Sequence, residues 1–184
     1  MGKKLKKILL IILIIIFIFV LCLLINKAYE EKMKDNINNM SWLRKNVSIS
    51  ENLSIGKNVL SVNKHDEINV YSDSYQTVIN EKINDLKNEG NYTLEDPLLI
   101  YNAYGTNSSS INIYFNTDKE SHLKYTVNCD DKDINDYTKT LYNGYINNLT
   151  TNHEYQITGL VAGKKQDVTF ELYDKDNNII DRKK

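Results

Sequence analysis

The sequence predicts a mainly β outer domain carried behind a membrane-spanning helix, on three observations. Residues 8–25 form an uninterrupted apolar run, one later segment has helical periodicity, and from Pro97 onward apolar residues recur at every second position. Short alternating segments divided by turn formers, with no helical segment between them, are the pattern of an immunoglobulin-like antiparallel β-sandwich. A short amphipathic helix is expected just before it.

The apolar run "ILLIILIIIFIFVLCLLI" has eighteen residues. A helix of that length spans roughly 27 Å, against about 30 Å for the hydrocarbon core of a bilayer. Lys3, Lys4, Lys6 and Lys7 crowd its N-terminal side, while Lys27 is followed at once by Glu30 and Glu31. The positive-inside rule then puts the N-terminus in the cytoplasm and the rest of the chain outside. A cleaved signal peptide fits less well, because such segments have shorter apolar cores and small residues before the cut. All 24 acidic residues lie beyond the anchor against 18 of the 23 basic ones, which leaves the outer part at about −6. Such a surface excludes nucleic acid as a partner.

The elements follow in order. Residues 28–47 are polar with Met33, Ile37, Met40 and Leu43 spaced by three and four, which suggests a juxtamembrane helix acting as a stalk. In residues 48–71 the segments "SIGKNVLSV" and "EINVYS" resemble short strands around polar "NKHDE". Tyr75, Val78, Ile79, Ile83 and Leu86 then share one helix face, with a capping box from Asp73 to Gln76 and Gly90 as a stop. "PLLIY", "INIYF", "HLKYTV", "HEYQITGL" and "DVTFELY" read as strands, and "NTDKE", "NCDDKD", "YNG", "VAGKK" and "DKDNN" as turns. The expected organisation is residues 1–27 for the cytoplasmic start and anchor, 28–71 for a stalk or linker, and 72–184 for helix plus sandwich.

No catalytic, metal or cofactor constellation emerges. His65, His122 and His153 are far apart and lack Cys or His partners at ligand spacing. "CDDKDINDYT" is acidic like a calcium loop but lacks its sixth-position Gly and terminal Glu. Ser108, Ser109 and Ser110 have neither an adjacent base nor a G-x-S-x-G frame. Cys129 is the one thiol outside the apolar run; it can form no intrachain disulfide, and its acidic neighbours offer no basic partner to activate it. Glycosylation-type sequons begin at Asn46, Asn52, Asn91, Asn107 and Asn148, at a frequency that a chain rich in Asn yields by chance. The 13 Tyr fall mostly on strands, where they fit half-buried positions or a binding face.

The stretch "DPLLIYNAYGTNSSSINIYFNT", followed by "KYTVNCDDKDINDYTKTLYNG" and "NHEYQITGLVAGKKQDVTFELYDKDNN", resembles the N-terminal domain of bacterial, clostridial-type aryl-sulfate sulfotransferases. Tyr104, Gly105 and Thr106 match an Asn-Pro-Tyr-Gly-Thr turn of that family, with Ala103 in place of Pro. His153, Ile157, Gly159 and Leu160 match its His-x-x-x-Ile/Val-x-Gly-Leu turn. The resemblance covers roughly residues 75–184. It implies a sandwich that precedes a larger β-propeller, whose histidine passes a sulfuryl group from a phenolic sulfate to another phenol. No residue of this chain carries over as catalytic.

The expected function is therefore that of a membrane-anchored, extracytoplasmic accessory domain of such an enzyme. Its expected partners are a catalytic propeller, the membrane through residues 8–25, and a second copy in a homodimer. The alternative is a free-standing, membrane-tethered binding module for a cell-envelope ligand or partner.

Overall fold

The computed structural model describes residues 2–141 and 149–184, and the chain divides into two compact units, Met1–Leu43 and Arg44–Lys184. The expected "YNG" turn and the Asn148 sequon lie outside the described residues.

Helix α1 (Lys3–Asn46) is continuous over 44 residues. It is long and apolar enough to cross a membrane. The separate juxtamembrane helix expected from residue 28 is its uninterrupted continuation. No Gly or Pro occurs between residues 3 and 46, so nothing in the backbone breaks the helix at the change from apolar to polar side chains. Arg44 and Lys45 in the last turn complement its C-terminal dipole.

The second unit contains strands β1 (Val47–Glu51) and β2 (Val59–Lys64), helix α2 (Asp73–Glu89), and strands β3 (Leu98–Tyr101), β4 (Ile111–Cys129), β5 (Tyr137–Thr140), β6 (Thr150–Ile157), β7 (Gln166–Tyr173) and β8 (Ile179–Lys183). One sheet runs β1-β2-β3-β4-β6 and the other β5-β4-β7-β8, so that β4 belongs to both. Its first half pairs with β3 and β6, its second half with β5 and β7. "INIYF" and "HLKYTV", expected as two strands around a "NTDKE" turn, are thus one strand of 19 residues. The polar residues mark the crossing between sheets, where pairing with β6 shifts register between Asn116 and Ser121.

Two further expectations are corrected. Residues 47–64, placed in the linker, form a hairpin at the edge of the first sheet: Asn52 Oδ1 accepts from the Ser54 N–H at 3.1 Å, and Asn58 takes the positive φ of 61° that closes the turn. The sandwich is also not wholly antiparallel, because β2 and β3 run parallel, Val59 opposite Leu99 and Ser61 opposite Tyr101. The connection between them is α2, so β2-α2-β3 is a βαβ crossover, and such a crossover makes a parallel pair.

Helix α2 buries Tyr75, Val78, Ile79 and Ile83. Its N-cap is Ser72, whose Oγ accepts from the Tyr75 N–H at 3.3 Å. The Asp73–Gln76 box does not form, because Gln76 Nε2 donates instead to the Val70 carbonyl at 2.6 Å. Gly90 ends the helix in an extended conformation, and a Cβ there would lie 2.3 Å from the Tyr92 ring.

The layers follow from strand parity. On one face of the first sheet Leu98, Ile100, Asn112 and Tyr114 lie against Ile83 and Lys87 of α2. Residues of the opposite parity, Ile113 and Phe115, join Leu123, Tyr125, Val127, Ile157, Phe170 and Leu172 in the core between the sheets. Helix, sheet and second sheet stack in that order.

Candidate functional site

The turn from β3 to β4 is held by its own polar side chains. Asn102 (φ 44°) and Gly105 (φ 71°) have left-handed conformations, and the Gly105 N–H donates to the Asn102 carbonyl at 2.9 Å. Asn102 Oδ1 accepts from the Asn107 N–H at 3.0 Å, and Asn107 Oδ1 from the Ser109 N–H at 3.0 Å. Ser110 is fully buried; its hydroxyl donates to the Asn107 carbonyl at 2.9 Å and accepts from Gln156 Nε2 at 3.2 Å. These bonds explain the serine run as a staple that turns the chain into β4, and they occupy the Ser110 Oγ that a nucleophile would need. A Cβ on Gly105 would stand 2.8 Å from Val70 Cγ1, so both φ and space require glycine there. Ala103 is buried, and Tyr104 donates to Asn80 Oδ1 of α2 at 3.0 Å, which ties the corner to the helix.

His153 sits in the core between the sheets, fully buried. Its ring stacks on Phe115, its register partner on β4, at a centroid distance of 4.6 Å and an angle of 8°. Nε2 lies 3.2 Å from both Thr117 Oγ1 and Ser121 Oγ, and Nδ1 has no hydrogen-bond partner. Burial pushes the ring pKa down to about 4, with the Thr150 backbone acting more weakly in the opposite direction. A neutral imidazole enclosed in this way holds two hydroxyls where β4 changes sheets; it presents no nitrogen to a substrate. Its burial was legible in parity, since it alternates with Tyr155 and Ile157 on β6.

His122 is on the other face of β4 and stacks on Tyr173 at 5.3 Å. His65 follows β2, far along the chain from both, and the structure brings none of the three together. Cys129 is half-buried, with Sγ 3.8 Å from the Lys165 carbonyl. Asp131 in the acidic loop accepts from Lys164 Nζ at 2.6 Å, and this bond lowers its pKa. Among the described residues no group of three or more His, Cys, Asp or Glu side chains could hold a metal ion.

A further junction, missed in the sequence, lies where β6 ends. The Tyr125 hydroxyl accepts from the Thr158 N–H at 3.1 Å and lies 3.3 Å from the Thr158 carbonyl. It thereby satisfies the backbone just before Gly159, whose φ of 91° turns the chain away. The second sheet is in this way fastened to the end of the first.

The family model of the arylsulfotransferase Ig-like domain matches residues 98–184. These residues are an arylsulfotransferase Ig-like domain. Both turns that carried the resemblance, at Gly105 and Gly159, fall inside it as left-handed corners of the sandwich. The arylsulfotransferase Ig-like domain begins with β3, later than the resemblance drawn from residue 75, so α2 and the β1-β2 hairpin lie outside the matched residues. No match to the chain was found among curated proteins or among solved structures.

Proposed function

We propose that the chain is the membrane-anchored, outward-facing accessory part of an arylsulfotransferase, serving a catalytic propeller that moves a sulfuryl group between phenolic compounds. The match of residues 98–184 to the arylsulfotransferase Ig-like domain carries this reading, since it spans β3 to β8. The lysines at positions 3, 4, 6 and 7, ahead of the apolar run of a helix long enough to span a bilayer, support the orientation. In this reading residues 1–43 tether the domain and the propeller supplies the sulfuryl-accepting group.

The one buried histidine, His153, supports the division of labour. A sulfuryl acceptor must offer a ring nitrogen to the substrate sulfur, and the His153 ring is enclosed with Nε2 beside two hydroxyls. The test is sulfuryl transfer from 4-nitrophenyl sulfate to phenol, with the full chain in detergent, alone and after co-expression with an arylsulfotransferase propeller. The expected outcome is no turnover by the chain alone, co-purification with the propeller, and a two-copy mass for the chain in detergent. Turnover by the purified chain alone would overturn the accessory role, and a propeller that never co-purifies would remove the partner.

A further inference from the structure

The βαβ crossover creates a feature that the accessory role does not use. In sheets with parallel strands, ligands bind in the crevice at the carboxyl ends of the strands, beside the crossover connection. The carboxyl ends of β2 and β3 open into a cleft of about 370 Å³, whose lining includes Asn52, Ser61, Lys64, Tyr75, Asn102 and Gly105. Tyr75 belongs to the first turn of α2.

The groups left unsatisfied there are donors. Asn52 Oδ1 already accepts from Ser54, Asn102 Oδ1 from Asn107, and the Tyr101 hydroxyl donates to the Ser108 carbonyl at 2.7 Å. Ser61 Oγ accepts from Asn52 Nδ2 at 3.0 Å, which leaves its own proton to give. Lys64 Nζ has one long bond, 3.4 Å to the His65 carbonyl. The Tyr75 hydroxyl is fully buried without a hydrogen-bond partner, 3.4 Å from where a Gly105 Cβ would be. Tyr75 and Gly105 both line the cleft, and the Val70 side chain packs against Gly105 beside that hydroxyl. A buried hydroxyl with no acceptor is costly, and a ligand oxygen within its reach would relieve that cost. The lining contains no carboxylate, although the outer part of the chain is acidic overall.

We propose that this cleft binds a small oxyanion, with Lys64 supplying charge and Ser61 and Tyr75 supplying hydrogen bonds. The site lies outside the matched Ig-like residues for Ser61, Lys64 and Tyr75, so it is a property of the βαβ addition to the sandwich.

The test is a titration of the full chain in detergent micelles with sodium sulfate and, separately, sodium acetate, at constant ionic strength against chloride, followed by amide NMR. The expected result is a saturable shift of the Gly105 and Asn102 amides with millimolar affinity, weakened at least fivefold by Lys64→Met and also by Tyr75→Phe, each with an otherwise unchanged spectrum. Tighter sulfate binding assigns a tetrahedral anion, and tighter acetate binding assigns a carboxylate such as that of a peptide or organic acid. Shifts that stay linear and match those of chloride, or affinities that neither variant changes, would overturn the proposal.

Discussion

His153 and Phe115 are stacked register partners, one on β6 and one on β4, at the point where β4 leaves the first sheet for the second. The two hydroxyls that reach the imidazole, from Thr117 and Ser121, flank the three exposed residues of the crossing, Asp118, Lys119 and Glu120. A strand that changes sheets interrupts its ladder, and the buried ring gives the interrupted segment an internal partner.

That arrangement makes stability depend on acidity. The His153 pKa is about 4 in the folded chain, against 6.5 when unfolded, so between these values the unfolded state holds more protons. Stability contributed by the neutral ring is complete above pH 6.5, declines as pH falls through the window, and levels off below about 4. The total loss is on the order of 3 kcal/mol for a shift of this size. Denaturant midpoints of the full chain from pH 7.5 to 4, set against His153→Gln, measure it; identical slopes for the two proteins would remove His153 as the cause.

Gly105 and Gly163 have nearly the same backbone, φ 71° and 72°, but differ in surroundings. A Cβ at Gly105 meets Val70 at 2.8 Å, whereas nothing lies within 4 Å at Gly163. Gly163→Ala should cost about 1 kcal/mol, from the left-handed conformation alone. Gly105→Ala should cost more, about 2–3 kcal/mol, because the β3-β4 turn must also move off Val70, in the segment that precedes α2. Thermal unfolding of the two variants side by side checks the difference, and equal losses would mean that the Val70 contact yields freely.

Tyr75 and Tyr125 form another informative pair, since both are fully buried but only one hydroxyl is bonded. Tyr125→Phe strands the Thr158 N–H and should cost about 1–3 kcal/mol. Tyr75→Phe removes a hydroxyl that has no partner, so in the absence of added anions its stability should be unchanged or raised. Chemical denaturation of both variants decides the matter, with a large loss at Tyr75 being the contrary result.

The helical face of α2 was legible because burial at 3.6-residue spacing is written into Tyr75, Val78, Ile79 and Ile83 themselves. Its cap was misplaced by one residue, since Ser72 and Asp73 are both cap formers and only the packing of Gln76 against Val70 separates them. The halves of β4 were visible as alternation, but its continuity was not: a polar segment exposed on both faces looks the same in a turn and in a strand crossing between sheets. β8 was missed because Ile179 and Ile180 are adjacent and both exposed, which breaks the period of two. The parallel pairing of β2 with β3, and with it the oxyanion cleft, depends on where α2 returns the chain. No local pattern records that.

Orientation across the membrane can be read from the two cysteines. Cys22 lies in the apolar run, and Cys129 is a half-buried free thiol at the end of β4, beyond the anchor. A membrane-impermeant maleimide applied to intact cells should label the full chain through Cys129, slowly because the thiol is partly covered, and Cys129→Ser should abolish the signal. Cys22, in the apolar run, would be shielded by hydrocarbon from a charged reagent in either orientation. If labelling appears only after the cells are lysed, the compact unit from Arg44 onward faces the cytoplasm. The lysine-rich N-terminus would then be outside, against the charge bias from which the orientation was argued.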